Sequence, residues 1–210
     1  MRRMFIGFLL VLVGSPMGGM ANAHPKTLDD PRGDAEPSPL DIESVVQNHQ
    51  RFEGKRFVSF RVNTYDPFTS EDLRAVGDEH FAISIFLFTG DNRGSLCQAN
   101  RSINVGVQPD SQAPDGLSLV AFVVKGGCAK PSGDTGKPPS GQPTIGYAQI
   151  WRPTATSVMV RIPTSLIRKG ECPAFKWEAR TESEQRSGDS ASITPDFAPG
   201  VSEGLVRGHC

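Results

Sequence analysis

From Lys55 onward, apolar and polar side chains alternate with a period of two, the spacing of a half-buried strand rather than a helix. In KRFVSFRVNTY, Val58, Phe60 and Val62 share one face, while Ser59, Arg61 and Asn63 share the other. Two stretches depart from this one-sided pattern. HFAISIFLFT puts Phe81, Ile83, Ile85 and Leu87 on one face but also Phe86 and Phe88 on the opposite one, and LSLVAFVVK opposes Leu117, Leu119, Ala121 and Val123 to Val120, Phe122 and Val124. Strands apolar on both faces are expected to be central or covered on both sides. Further strands are predicted at IESVVQNH, SINVGV, TIGYAQIWRP, TSVMVRIP and AFKWEART, about eight in total, separated by turn residues.

Helical signals are few. TSEDLRAV offers Thr69 or Ser70 as a cap, with Glu71 and Asp72 suited to the positive end, and PTSLIRKG can form a short turn stopped by Gly170. Residues 126–143 are too rich in Gly and Pro to pair as a central strand and read as a long loop. The stretch after the last predicted strand, ending at Cys210, holds few large apolar residues and reads as an irregular surface tail. The expected fold is an all-β, antiparallel two-sheet sandwich of jelly-roll type.

The N-terminus changes the compartment. Arg2 and Arg3 precede the apolar run MFIGFLLVLV, and Ala21 and Ala23 stand where a signal peptidase requires small side chains, so residues 1–23 read as a signal peptide. That run is about half the roughly 20 residues that a spanning helix needs. The expected mature chain begins at His24, with residues 24–39 an extended acidic, Pro-rich entry segment and residues 40–210 one domain. It is expected to be secreted or to face the exterior of the cell envelope, with no membrane span, as a monomer. Loss of Arg2 and Arg3 lowers Lys+Arg from 22 to 20 against 23 Asp+Glu, with both signs scattered along the chain. This balance argues against nucleic acid or an anionic membrane as partner.

Four cysteines in an exported chain point to disulfides. Three pairings are possible for Cys97, Cys128, Cys172 and Cys210. Cys97 with Cys128 and Cys172 with Cys210 are favoured, each closing a loop that would stabilise by about 3 to 4 kcal/mol in the chain-entropy picture. No C-x-x-C pair or suitably spaced His supports zinc instead.

The order of segments also carries a resemblance. DPRGDAEPSPLDI leads into a strand, FRVNTYDPF ends the next, ISIFLFTGDNRG ends a central strand in an acidic turn, and IWRPTATSVMVRIPTSLI and FKWEART precede a DFAPG exit. From about Asp30 to Asp196 the chain resembles a recurring exported bacterial domain of actinobacterial type. That domain is similar to jelly-roll carbohydrate-binding modules of the family-nine type and to DOMON-like domains. The resemblance implies a non-catalytic binding role and, as in several such relatives, a structural calcium at the acidic entry segment. The chain departs from the pattern by its four cysteines and by FTGDNRG, where relatives carry more aspartates.

Calcium requires six to eight oxygen ligands. Asp30, Asp34 and Asp41, with backbone carbonyls of the Pro-rich turn, can supply them, and Asp91 is a candidate to close the site, although Arg93 two residues on would oppose a cation. The bland alternative is that these acids and prolines keep the segment extended and solvated.

Other constellations are weaker. His24, once N-terminal, could chelate copper with His49, His80 or His209 as in a copper-dependent oxidase, but the segment after it has only Leu28 to dock it. No G-x-S-x-G in the mature chain and no H-E-x-x-H signals hydrolase chemistry. Trp151, Trp177, Tyr65, Tyr147 and Phe68 could stack on sugars. Trp151 and Tyr147 share a face with Ile145, and Trp177 shares one with Phe175 and Ala179, so core packing is the default expectation. The functional expectation is a non-catalytic module that binds a carbohydrate or cell-wall glycan. The alternative is a structural or protein-interaction module of the envelope.

Overall fold

The structure is a computed structural model that describes residues 25–35, 38–74, 81–88, 99–114, 116–127, 143–167, 175–187, 190–198 and 206–208. Among these the strands are β1 (Lys26–Asp29), β2 (Ile42–Phe52), β3 (Lys55–Thr64), β4 (Ile83–Phe88), β5 (Arg101–Pro109), β6 (Leu117–Lys125), β7 (Thr144–Thr154), β8 (Ser157–Pro163), β9 (Phe175–Ser187), β10 (Ser190–Ala198) and β11 (Val206–Gly208). A 3₁₀ turn at Glu71–Leu73 and one helical turn, α1 (Thr164–Ile167), occupy the two places where helix was expected. No described helix is long and apolar enough to cross a membrane.

The fold is all-β and wholly antiparallel in its pairings, as the alternation predicted. Its strands follow one unbroken path, β1-β2-β3-β8-β7-β6-β5-β4-β9-β10, with β11 also on β9. The sheet curls until its ends meet, giving a nearly closed barrel. At the meeting line the Ile42 amide donates to Asp196 Oδ2 at 2.6 Å, and the Thr181 hydroxyl donates to the Leu40 carbonyl at 2.6 Å. Among the described residues no strand ladder runs between β2 and β10, so these side-chain bonds form a seam.

One face of nearly every strand lines the interior. Val45, Val58, Phe60, Val62, Ile83, Ile85, Leu87, Ile103, Val105, Ala121, Val123, Val160, Ile162, Phe175, Trp177 and Ala179 form a single buried cluster. At its centre Phe60 meets Trp177 and Phe175 edge-on, with ring centroids at 5.4 and 6.4 Å. The strands predicted to be apolar on both faces are covered outside as well. Phe86 and Phe88 pack with Ala99, and Phe122 and Val124 pack with Phe81, which precedes β4 and so joins this outer cluster instead of the face of Ile83, Ile85 and Leu87 expected from the alternation.

β7 joins two walls. Its first half, to Ala148, pairs with β6, and from Gln149 it pairs with β8. Gly146 in that first half faces Leu166 of α1, whose side chain packs against the core and would have to shift for an added Cβ, which would sit 2.7 Å from its Cδ1.

Three expectations change. The predicted strands number about eight, and the described residues hold eleven. The additions fall where the sequence reads as tether or tail. β1 forms inside the entry segment by pairing with β2, and the expected irregular tail instead extends β9 to Ser187 and adds β10 and β11. β10 lies at the end of the strand order and needs few apolar residues, so hydropathy does not reveal it. Finally, Trp151, Tyr147 and Ile145 face solvent on the outer side of β7, whereas Trp177 is fully buried as expected. All four cysteines, Asp91, the 128–142 part of the long loop and Gly170 lie outside the described residues.

Candidate functional site

The seam gathers carboxylates. β1 pairs with β2 and ends at Asp29, which delivers Asp30 to the mouth of the barrel, where its amide donates to the Glu43 carbonyl at 3.0 Å. Tyr65 donates its hydroxyl to the Asp30 carbonyl at 2.6 Å and fixes that backbone from the other side. The following turn depends on Gly33, whose φ of 91° lies in the left-handed region that side chains disfavour. With that turn made, the Gly33 amide donates to Asp41 Oδ2 at 2.9 Å, and Asp34 swings back toward Asp30. Asp196 arrives from β10, at the far end of the strand order. Its two oxygens accept the amides of Ile42 and Phe197 at 2.6 and 2.7 Å.

Asp30, Asp34 and Asp196 thus each offer an oxygen within 4.8 Å of the others. Of the three carboxylates that the sequence nominated together, two lie in this group and the third lies beside it. Asp30 and Asp34 belong to this group, and Asp41 adjoins it through the Gly33 turn and through its charge, which raises the affinity of Asp30, Asp34 and Asp196 for protons. Asp196 is the member that sequence reasoning missed. Its only sequence signal is its place in the DFAPG exit, and nothing there links it to residues more than 150 positions earlier.

This grouping is electrostatically unfavourable as it stands. Asp30 is 4% exposed, and neither of its carboxylate oxygens has a hydrogen-bond partner. Asp41 Oδ1 is in the same condition. Among the described residues no Lys, Arg or His pairs with any of the four. The nearby Arg32 is engaged elsewhere, 3.6 Å from Asp66 and stacked over the Tyr65 ring. Burial, followed by the charges of Asp196 and Asp34, pushes the Asp30 carboxyl up to about 8. Burial pushes Asp196 up to about 6 despite its two amide donors, and burial also raises Asp34. A buried carboxylate without donors costs several kcal/mol unless a proton or a cation compensates it.

The donor set is all oxygen, with neither imidazole nor thiolate, which is the chemistry of a hard divalent cation. Asp34 is exposed, so the group opens to water on one side.

Among the described residues no other candidate group assembles. His49 stands alone on β2, and His24, His80 and His209 lie outside the described residues. Glu71 and Asp72 serve their own turn. Asp72 accepts the Thr69 amide and hydroxyl at 2.6 and 2.7 Å, and Glu71 pairs with Arg74.

A second surface lies on the outer face of β2, β3, β8 and β7. Cross-strand register sets Asn48, Ser59, Arg161 and Gln149 in one row and Val46, Arg61, Met159 and Trp151 in the next. Trp151, Tyr147 and Phe52 are exposed at 39, 58 and 54%. The Arg161 guanidinium lies 5.2 to 5.9 Å from the rings of Phe57, Trp151 and Phe52, and its Nε donates to Gln149 Oε1 at 2.7 Å.

Compared with family models, with curated proteins and with solved structures, the chain matches none.

Proposed function

We propose that this chain is an exported, non-catalytic binding module whose seam is closed by a divalent cation, calcium by preference. The observation that carries the cation is Asp30, whose carboxylate is buried without a donor beside Asp34, Asp41 and Asp196. A cation there would turn mutual repulsion into shared attraction and would tie the entry segment to β10. Calcium suits an all-carboxylate, partly hydrated site better than softer metals. The test is thermal melting of the full chain with Ca²⁺ and with chelator. A ligand at a hundredfold excess over Kd adds about 2.7 kcal/mol, or roughly 5–10 °C for a chain of this size. A melting point indifferent to both additions rejects the site.

The ligand class we favour is a carbohydrate or cell-wall glycan, and the exposed outer wall supports this over a purely structural or protein-interaction role. Its rings stand apart from one another, separated by Gln149 and Arg161, rather than merging into the apolar patch typical of a protein interface. Sugars present apolar ring faces edged by hydroxyls, which match rings flanked by amide and guanidinium groups. The split pairing of β7 is compatible with a flattened, two-walled barrel of jelly-roll type. Retention on a panel of insoluble polysaccharides tests the ligand class, and absence of retention on all of them removes it.

A further inference from the structure

The signs of charge that alternate along the sequence are sorted by the fold. From Ser44 to the end of β2, and throughout β3, β7 and β8, there is no Asp or Glu, and alternation places Lys55, Arg61 and Arg161 on the outer face of these strands while Arg51, Arg56 and Arg152 alternate to the other. The outer face of this wall therefore carries cations and no acid in a chain whose net charge is −1. Arg152 is committed to the fold, since its guanidinium donates to the carbonyls of Phe68 and Ala155. Arg61 and Arg161 are not. They sit diagonally across β3 and β8 on the outer face, and among the described residues neither pairs with a carboxylate. Among the described residues the Arg61 side chain has no hydrogen-bond partner, its Nε being buried and unsatisfied, and Arg161 uses only Nε, leaving its terminal nitrogens for another acceptor.

We infer that this wall binds an acidic polysaccharide, with a uronate carboxylate held by Arg61 and Arg161 while the sugar ring stacks on Trp151. The inference rests on the glycan reading above and gives it a chemical class. A guanidinium fork matches a planar carboxylate in two parallel bonds. In a hexuronate the carboxylate is attached directly to the ring, so one sugar carries both the charge and the apolar face. Arg161 and Trp151 are correspondingly close, with the guanidinium 5.6 Å from the indole centroid. Tyr147, four residues before Trp151 and so about 13 Å away along the strand, offers a ring for a second sugar of the same chain. Its exposed ring is backed by Phe122 at 5.6 Å.

The test uses the full chain with soluble polygalacturonate, neutral xylan, a sulfated galactan free of uronate and double-stranded DNA, in affinity gels at low salt. The expected result is retardation by polygalacturonate above the other three. That retardation should weaken about tenfold or more in Arg161→Gln and in Arg61→Gln, and fall with Trp151→Ala, while the melting point of each variant shows that it folds. Equal retardation by xylan and polygalacturonate, unchanged by Arg161→Gln, overturns the acidic class and leaves the glycan reading standing. Preference for the sulfated polymer or for DNA overturns the uronate assignment. No retardation by any polysaccharide overturns both readings.

Discussion

Asp196 and Ile42, 154 residues apart, are joined by a 2.6 Å bond from the Ile42 amide to the Asp196 carboxylate, and this bond links the two ends of the sheet. Because Asp196 also accepts the Phe197 amide at 2.7 Å, its removal strands two donors. Asp196→Ala is therefore expected to lower stability by about 1–3 kcal/mol, measured by urea unfolding in chelator. Asp196→Asn keeps one acceptor oxygen and removes a charge beside Asp30, so its loss should be smaller. Equal losses would show that the bond to Ile42 does not matter.

The pH dependence follows from the direction of the carboxyl shifts. Asp30 sits at about 8 in the fold, against an ordinary value of 3.8, and Asp196 sits at about 6. Between about 4 and 8 the folded chain thus retains protons that the unfolded chain has released, and stability falls as pH rises through that window. In chelator the melting point should decline from pH 5 to pH 8. Saturating Ca²⁺ competes with those protons, so it should flatten or invert the decline. A melting point in chelator that climbs over the same range contradicts the buried, unpaired state of Asp30.

Asp30→Asn separates the two ways of relieving that charge. Asparagine keeps the shape and needs no proton, so in chelator at pH 8 the variant should melt above the wild type. The same substitution removes a ligand, and the rise on adding Ca²⁺ should shrink or vanish. Differential scanning fluorimetry with both additions reads the two effects. A variant that melts lower in chelator yet keeps the full calcium response would refute the role given to Asp30.

The aromatics divide sharply by position. Phe60 is fully buried against Trp177 and Phe175, so Phe60→Ala should cost about 3–5 kcal/mol. Trp151 is 39% exposed on the outer wall, and Trp151→Ala should cost no more than about 1 kcal/mol. Chemical denaturation of both variants checks the contrast, which collapses if the two losses are alike.

Period-two alternation made most of the walls legible, because it shows which side chains share a face. It does not show which face is inside. On β7 the smaller set, Gly146, Ala148 and Ile150, turns inward, with Leu166 beside Gly146. The bulky Ile145, Tyr147 and Trp151 are left outside, against the expectation from size. The carboxylate cluster was half legible for a related reason. Asp30, Asp34 and Asp41 are near in sequence and linked by one glycine turn, whereas Asp196 joins them only through the strand order. That order sets β10 against β2 after the chain has crossed the barrel twice, a relationship that no local pattern encodes.

The seam also determines how this barrel comes apart. Elsewhere each strand is held to its neighbour by a backbone ladder, but between β2 and β10 the described hydrogen bond is the single one from Ile42 to Asp196, with Thr181 of β9 reaching Leu40 just before β2. Local opening follows the weakest set of bonds, so the first excursion is a parting of the cuff at that line, with both walls intact. Amide hydrogen exchange would report it as early labelling at Ile42 while the β5 and β6 amides stay protected. The seam is thus both the place where the chain's distant ends are clasped and the place where the clasp first lets go.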